Sequence, residues 1–405
     1  MSPSASHKWN FAPRFRRNAF GWRSSQLAVK RVKEAVAEIK KTARKDPILA
    51  AEGAVLFLEK VSAALAHVDS STGAIGSTVN NAIDVMASII AAAPANDSLR
   101  DKWLDRLWQA VEEDDIPYIE LLPEYWGELC ATPERASKWA DLFVEGLLMA
   151  WKKKASSGHF VYFKGTSACF SALLKAGRHE DILSLLGRSP YKWWHYRKWG
   201  VKALVAMGRK AEAIRYAEDS HGINEPAGEI AQACEEILLS SGMAEEAYAR
   251  YARIANRGTT NLATFRAIAR KYPRKTAREI LNDLVESTPG DEGKWFASAK
   301  SAGLYDEAVE LANITPCDPR TLTRAAREAA KDRPGFAVVA GIAAIRWICE
   351  GYGYEITSLD ILEAYRYTME AAANAGKEQE TLERIRKLAA AQTPSARFVA
   401  NVLGK

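Results

Sequence analysis

The sequence has few of the features that mark exported or membrane proteins. No stretch approaches the roughly 18 consecutive apolar residues that a membrane-spanning helix needs. The longest apolar segment, residues 336–348, is interrupted by Gly341 and Arg346. The first 25 residues carry several arginines and no apolar run, which argues against a secretory signal. We therefore expect a cytoplasmic protein without a membrane span.

Cysteine and histidine, which build most metal and nucleophile sites, are scarce. The 405 residues include five cysteines and six histidines, and none has the Cys-x-x-Cys or His-x-x-x-His spacing of a metal site. Residues 288–294 also fail as a phosphate loop, because two residues separate their glycines where a Walker loop has four. We expect no catalytic residue, no metal and no cofactor, and we interpret the cysteines as buried, reduced thiols.

Positive charge is concentrated at one end of the chain. Residues 1–45 contain 12 lysines and arginines against two glutamates, a net charge of +10, whereas the remaining 360 residues have a net charge of −4. Five aromatic residues are interleaved with the arginines of this segment. Lysine and arginine neutralise phosphates and unpaired bases stack on aromatic rings, so the composition favours nucleic-acid binding. The candidate residues are Arg14, Arg16, Arg17, Trp22, Arg23, Lys30, Arg31, Lys33, Lys40 and Lys41.

The sequence allows two other interpretations of residues 1–45. In one, the aromatic residues dock the segment onto the rest of the protein, and the charges only keep it soluble. In the other, the helix expected over residues 25–45 lies on an anionic lipid surface. The apolar face of that helix, with Leu27, Val32 and Ile39, is rich in alanine, which weakens the lipid interpretation.

A second aromatic cluster spans residues 191–199, where five aromatic and three basic residues occupy nine positions. A helix would place Tyr196 and Trp199 on one face and Arg197 on another. One interpretation is packing between helices, with the lysines and arginine reaching outward. The other is an exposed surface for stacked bases or for the aromatic and proline anchors of a peptide. In that case the candidate contacts are Trp194, Arg197 and Lys198.

A short pattern recurs four times between residues 176 and 313: a glycine, three variable residues, an acid and usually an alanine. The glycines are 31, 34 and 61 residues apart, and a period in the low thirties is the length of two short helices with their turns. Glycine suits the end of the first helix because it adopts a positive φ without a Cβ clash. The acid would face the positive end of the next helix dipole. The four glycines are Gly177, Gly208, Gly242 and Gly303.

This pattern resembles the tetratricopeptide repeat, which has a glycine between its two helices, an acid four residues later and an alanine five residues later. All four acids match, and three of the four alanines do, with Ile182 as the exception. A further unit near Gly376 keeps Glu380 but has Thr381 in place of alanine. The signature tryptophan and Leu-Gly of the family are largely missing from the first helices. The whole chain is also similar to bacterial helical-repeat proteins of uncharacterised function.

Helix-start signals continue outside the repeats. An acid or threonine followed by proline predicts helices that begin at Pro47, Pro133 and Pro319, and a further helix is expected over residues 118–130. No segment has the pattern of a strand. We therefore predict an all-α fold with about 17 or 18 helices.

The resemblance implies an arrangement and a function as well. Residues 154–405 would form a right-handed α-solenoid of antiparallel helix pairs, preceded by a basic arm and helix (1–45) and a non-repetitive helical cap (46–153). A solenoid of this kind implies a non-catalytic scaffold or adaptor that binds a protein partner on its concave surface. The basic segment and the 191–199 cluster make nucleic-acid binding the alternative.

Overall fold

The structure of the chain is a computed structural model that describes residues 7–157, 163–189, 192–220 and 226–404. The described residues form 21 α-helices and four short 3-10 helices, and no strand. The all-α prediction is therefore confirmed. The helices are more numerous than predicted because proline and glycine break several segments into short pieces, such as the helix Phe296–Ser301.

The chain divides into two compact units, Met1–Pro226 and Ala227–Lys405. The helices of the first unit are α1 (Ser25–Ala43), α2 (Pro47–Leu65), α3 (Ala74–Ala92), α4 (Asp97–Glu112), α5 (Trp126–Leu129), α6 (Pro133–Ser157), α7 (Thr166–Lys175), α8 (His179–Arg188), α9 (Trp194–Ala206) and α10 (Lys210–Glu218). Its 3-10 helices are Ala12–Arg14, Trp22–Ser24 and Leu122–Tyr125.

The second unit contains eleven of the described α-helices. They are α11 (Ala227–Leu239), α12 (Ala244–Ala255), α13 (Asn261–Lys271), α14 (Ala277–Glu286), α15 (Phe296–Ser301), α16 (Tyr305–Ile314), α17 (Pro319–Ala329), α18 (Pro334–Cys349), α19 (Ser358–Ala375), α20 (Glu378–Ala389) and α21 (Pro394–Leu403), with a 3-10 helix at Glu292–Trp295.

The predicted helix starts are confirmed by their caps. Helix α2 begins at Pro47, and the side chain of Asp46 accepts a hydrogen bond from the Leu49 amide at 2.9 Å. Helix α17 begins at Pro319 in the same way. The helix predicted over residues 118–130 is wrong. Only the last four of its residues before Cys130 form an α-helix, because Pro123 lies in the preceding 3-10 turn.

The recurring glycines end helices in one shared geometry. Gly177 has a φ of 73°, its amide bonds to the Leu174 carbonyl, and the amide of Arg178 bonds to the Leu173 carbonyl at 3.0 Å. These two bonds satisfy carbonyls that a helix end would otherwise leave unpaired. The same pair of bonds and a positive φ occur at Gly208, Gly242, Gly303 and Gly376.

The small position after each acid lies in the core, as a close helix–helix contact requires. Ala213, Ala247 and Ala308 have no exposed surface. The two exceptions to the alanine pattern, Ile182 and Thr381, are buried in the same way. The larger side chains are therefore accommodated rather than turned outward.

The boundary between the two units does not follow the predicted boundary between a cap and a repeat region. Helix α7, the first helix of the predicted repeats, packs on both α5 and α6. Phe170 and Leu173 of α7 belong to the same core as Trp103 and Trp126 from the predicted cap. Residues on both sides of position 153 thus share one core, and the division falls at residue 226 instead.

One described helix, α3, is long and apolar enough to cross a membrane by length and composition. Its apolar side, including Val79 and Ile83, is buried, and it contacts α1 and α2. Its exposed positions include Ser77, Asn81 and Asp84. A polar outer face is what a core helix of the first unit requires, and lipid would not solvate it.

Candidate binding surface

The aromatic residues of the N-terminal segment dock it onto α2. Trp9, Phe11, Phe15 and Phe20 are all buried in the core of the first unit. The rings of Phe11 and Phe15 lie edge-on to Phe57 of α2, with centroids 6.0 and 5.3 Å away. Such pairs add about 0.5–1.5 kcal/mol each beyond the area they bury. Four of the five aromatic residues of this segment are therefore structural.

Polar contacts fix the same segment to α1 and α2. The carboxylate of Glu38 accepts hydrogen bonds from the amides of Asn10 and Phe11 at 2.8 and 3.1 Å. The amides of Asn18 and Phe20 donate to carbonyl groups of α2 at 2.8 and 3.3 Å. The segment is therefore a docked part of the first unit, and the backbone that carries its cations is held in place.

Glu34, the other acidic residue of the segment, forms salt bridges within the segment. Its carboxylate lies 2.7 Å from a guanidinium nitrogen of Arg31 and 2.9 Å from one of Arg14. The hydrogen bond from Arg31 lowers the pKa of Glu34, which keeps this carboxylate ionised. Arg14 and Arg31 are thereby partly neutralised.

The other predicted cations of this segment face solvent and form no salt bridge among the described residues. In the described part of the chain, none of them has a carboxylate within salt-bridge distance; the guanidinium of Arg16 instead donates to the Pro13 carbonyl at 3.0 Å. All of them are exposed. These residues, which we call the basic surface, are Arg16, Arg17, Arg23, Lys30, Lys33, Lys40 and Lys41.

A groove between α1 and α3 runs along part of the basic surface. Its volume is about 450 Å³, and its lining includes Lys33 and Lys40 from α1 and Ser77 and Asn81 from α3. Two cations beside hydroxyl and amide donors suit an anionic backbone such as a phosphodiester. The α3 residues were not predicted, but their polar side chains recur on one side of an otherwise apolar helix, which is a usable signal.

Trp22 is the one aromatic residue among the predicted contacts that lies on the surface. Its side chain is 67% exposed, and its neighbour Arg23 is exposed too. The Trp22 carbonyl accepts a hydrogen bond from the Asp69 amide at 3.2 Å, which holds this 3-10 turn in place. An exposed indole beside cations is a stacking platform for an unpaired base.

Most of the described aromatic residues of the 191–199 cluster are buried, whereas Lys192 and His195 are exposed. Trp194 and Arg197 are buried, together with Tyr196 and Trp199. Tyr191 lies outside the described residues. The interpretation of Trp194 and Arg197 as exposed contacts is therefore wrong, because helix α9 buries side chains on more than one of its faces.

The cations of this cluster have partners inside the protein. The guanidinium of Arg197 lies 3.6 Å from the ring centre of Tyr216 and donates to the Tyr216 carbonyl at 2.8 Å and to Ser220 at 2.9 Å. The ammonium of Lys198 is 2.6 Å from Glu124. These contacts join α9 to α10 and to the chain before α5, so the cluster serves packing.

The groups usually needed to bind a metal ion are not assembled in the described residues. No group of three or more histidine, cysteine, aspartate or glutamate side chains lies together there in a metal-binding arrangement. All five cysteines are buried. Burial raises the pKa of Cys169 to about 12, which leaves almost no thiolate at neutral pH.

No family model matches this chain, and no curated protein sequence matches it.

Proposed function

We propose that this protein is a non-catalytic helical scaffold that binds single-stranded nucleic acid on its basic surface. The observation that supports this most is the array of seven exposed cations that form no salt bridge among the described residues, described above. Counterion release from phosphates gives such an array its affinity. The exposed indole of Trp22 adds a stacking platform that duplex bases, already stacked on each other, cannot use.

Point variants test this proposal better than truncation. Deleting residues 1–45 would remove Trp9, Phe11, Phe15 and Phe20 from the core, so lost binding would not be distinguishable from unfolding. The variant Lys33→Gln/Lys40→Gln removes two cations from the groove without touching the core. Lys102→Gln/Lys138→Gln is the matched control, because both of these lysines are exposed on other helices, α4 and α6.

The measurement is fluorescence anisotropy with labelled single-stranded DNA, RNA and duplex DNA at about 50 and 200 mM salt. For a single strand, each lost phosphate contact lowers the slope of log K against log salt by about 0.7, so the groove variant should lose about 1.4. The control variant should keep the wild-type slope. Salt-independent binding, or equal losses in the two variants, contradicts the proposal.

Trp22→Ala separates stacking from charge. Base stacking on an aromatic side chain contributes about 1–3 kcal/mol, so this variant should bind single strands roughly 5- to 150-fold more weakly. Its salt slope should stay that of the wild type, because no cation is lost. An unchanged affinity for single strands would remove Trp22 from the site.

We also propose a tetratricopeptide-like arrangement, a right-handed α-solenoid of antiparallel helix pairs over residues 154–405. The five glycine turns with identical hydrogen bonding support it. In this proposal the repeats form a scaffold that binds a protein partner on its concave face. The five reduced thiols fit a cytoplasmic location.

An apolar patch in the second unit favours protein binding as the second candidate function. Leu359 and Leu362 share one face of α19 and are 65% and 47% exposed, and Tyr354 before the helix is 79% exposed. Neighbouring exposed apolar side chains such as Leu359 and Leu362 are typical of partner contacts. A stoichiometric partner captured by the wild type should be lost with Leu359→Ser/Leu362→Ser and kept with Leu142→Ser, an equally exposed leucine on α6. Capture that is insensitive to the patch variant removes this candidate.

A further inference from the structure

The second unit contains a small pocket between α17 and α19 that is lined by three arginines. Its volume is about 190 Å³. This is below the roughly 300–1,000 Å³ of sites for drug-sized ligands, so it suits a compact molecule. Arg320, Arg324 and Arg327 come from α17, and Asp360, Glu363 and Tyr367 come from α19.

The spacing along α17 places these arginines on one helix face. Positions i, i+4 and i+7 point the same way, and like charges at this spacing repel each other. The opposite face of α17, with Leu322 and Ala326, is buried. The arginine face therefore carries a charge density that only part of the surrounding protein neutralises.

One arginine is already paired. Arg320 forms two hydrogen bonds with the carboxylate of Asp360, at 2.7 and 3.0 Å, and a third with the Glu355 carbonyl at 3.0 Å. Arg324 and Arg327 have no carboxylate within salt-bridge distance among the described residues. Glu363 is the other acid of the pocket, so the lining keeps a net charge of +1.

Tyr367 adds a neutral donor beside the two unpaired arginines. Its hydroxyl accepts a hydrogen bond from Arg366 at 2.6 Å, which leaves its own proton to donate elsewhere. The guanidinium of Arg327 lies 5.7 Å from its ring centre. Arg324, Arg327 and Tyr367 thus line the same small space.

We propose that this pocket binds a compact oxyanion, a small molecule bearing a phosphate or carboxylate group, held by Arg324, Arg327 and the hydroxyl of Tyr367. Guanidinium forks match the oxygen pairs of both groups, and charge-assisted hydrogen bonds are the strong ones. The carboxylate of Glu363 disfavours ligands with several negative charges and provides an acceptor for an amine on the same ligand. The site is separate from the basic surface of the first unit and does not depend on the proposed function.

Isothermal titration calorimetry of the full-length protein with inorganic phosphate and with acetate tests the pocket. Wild type should bind at least one of the two probes in a 1:1 complex, and the preferred probe distinguishes phosphate from carboxylate ligands. Arg324→Gln/Arg327→Gln should weaken that binding by at least about tenfold, since a hydrogen bond to a charged group contributes about 1.5–3 kcal/mol. The matched control is Arg384→Gln/Arg386→Gln, which removes the same charge from the exposed face of α20.

Tyr367→Phe gives a second readout that does not alter charge. Losing one neutral hydrogen bond should weaken binding by about two- to tenfold while the unit stays folded. The proposal is overturned if neither probe binds below about 10 mM. It is equally overturned if the pocket variants bind as tightly as wild type, or if the α20 control loses as much affinity as they do.

Discussion

Trp9 rests on α2 at Gly53, and an added methyl group there tests whether the N-terminal segment is docked. A Cβ built on Gly53 would lie 2.6 Å from Cη2 and 2.7 Å from Cε2 of the Trp9 indole. Carbon atoms in favourable contact are about 3.5–4.0 Å apart. The variant Gly53→Ala therefore forces the indole to move, and the three atoms nearest to the new methyl group all belong to this ring.

The effect of Gly53→Ala on the free energy of unfolding has two opposed contributions. Overpacking at Trp9 should cost about 1–3 kcal/mol. Replacing glycine by alanine inside a helix stabilises it by about 1 kcal/mol in either background. Gly53→Ala should thus destabilise the wild type by up to about 2 kcal/mol and stabilise the Trp9→Ala variant by about 1 kcal/mol. The coupling between the two positions should be about 1–3 kcal/mol, which is the cost of overpacking alone.

Hydrogen exchange is the suitable assay, because it reports local opening of this segment without requiring the whole chain to unfold in one step. The amides of Asn18 and Phe20 are the probes, since both donate to carbonyl groups of α2. Gly53→Ala should lower their protection in the wild type and raise it in Trp9→Ala. The same change in both backgrounds, or no change in either, would refute the docking of Trp9 against Gly53.

Three further predictions concern charged groups that accept or donate several hydrogen bonds. Arg100→Ala should destabilise the first unit by about 2–4 kcal/mol in urea unfolding, because the buried guanidinium donates to the carbonyls of Ile90 and Ala93 at the end of α3. Glu235→Ala should destabilise the second unit by about 3–5 kcal/mol, since this buried carboxylate accepts hydrogen bonds from Tyr272, Lys271 and Asn256. The control Glu236→Ala, at the next position and exposed, should change stability by less than about 0.5 kcal/mol. Asp360→Asn should destabilise by about 1 kcal/mol at pH 7, and urea unfolding should show the difference fading as pH falls below about 4. The hydrogen bond from Arg320 lowers the pKa of Asp360 in the folded state, so its stabilisation is present above the unfolded pKa and lost in acid. A difference between wild type and Asp360→Asn that grows as the pH falls from 4 would contradict this sign.

Local signals identified the helices and their ends. The residue pairs Asp46-Pro47 and Asp318-Pro319 predicted two helix starts, and the structure begins both helices there. Cap side chains and proline act within one turn of the chain, so the sequence contains their effect in full. The same holds for the glycine turns, whose positive φ is a property of the residue itself.

The candidate surface was predictable only in part. Its cations could be read from residues 1–45, but Trp9 and Trp22 look alike in the sequence, and one is buried while the other is 67% exposed. Whether an aromatic ring is buried depends on what lies opposite to it. For Trp9 this is Gly53, which is far along the chain and whose missing side chain makes the space.

The arginine pocket illustrates the same limit. The spacing of three arginines in the sequence puts them on one face of α17, but an ordinary solvent-exposed helix face has the same spacing. Only the position of α19 opposite α17 pairs Arg320 with Asp360 and leaves two arginines beside Tyr367.

By itself, the sequence determined an all-helical protein, where many of its helices begin and end, and a concentration of positive charge in the first 45 residues. Torsion preferences, capping and net charge act over short distances along the chain, and these features depend on nothing else. The tertiary structure alone decided that Trp194 and Arg197 are buried, that the N-terminal segment is docked, and which cations form no salt bridge. Burial and pairing depend on contacts between residues that are distant in sequence, and no local pattern encodes them.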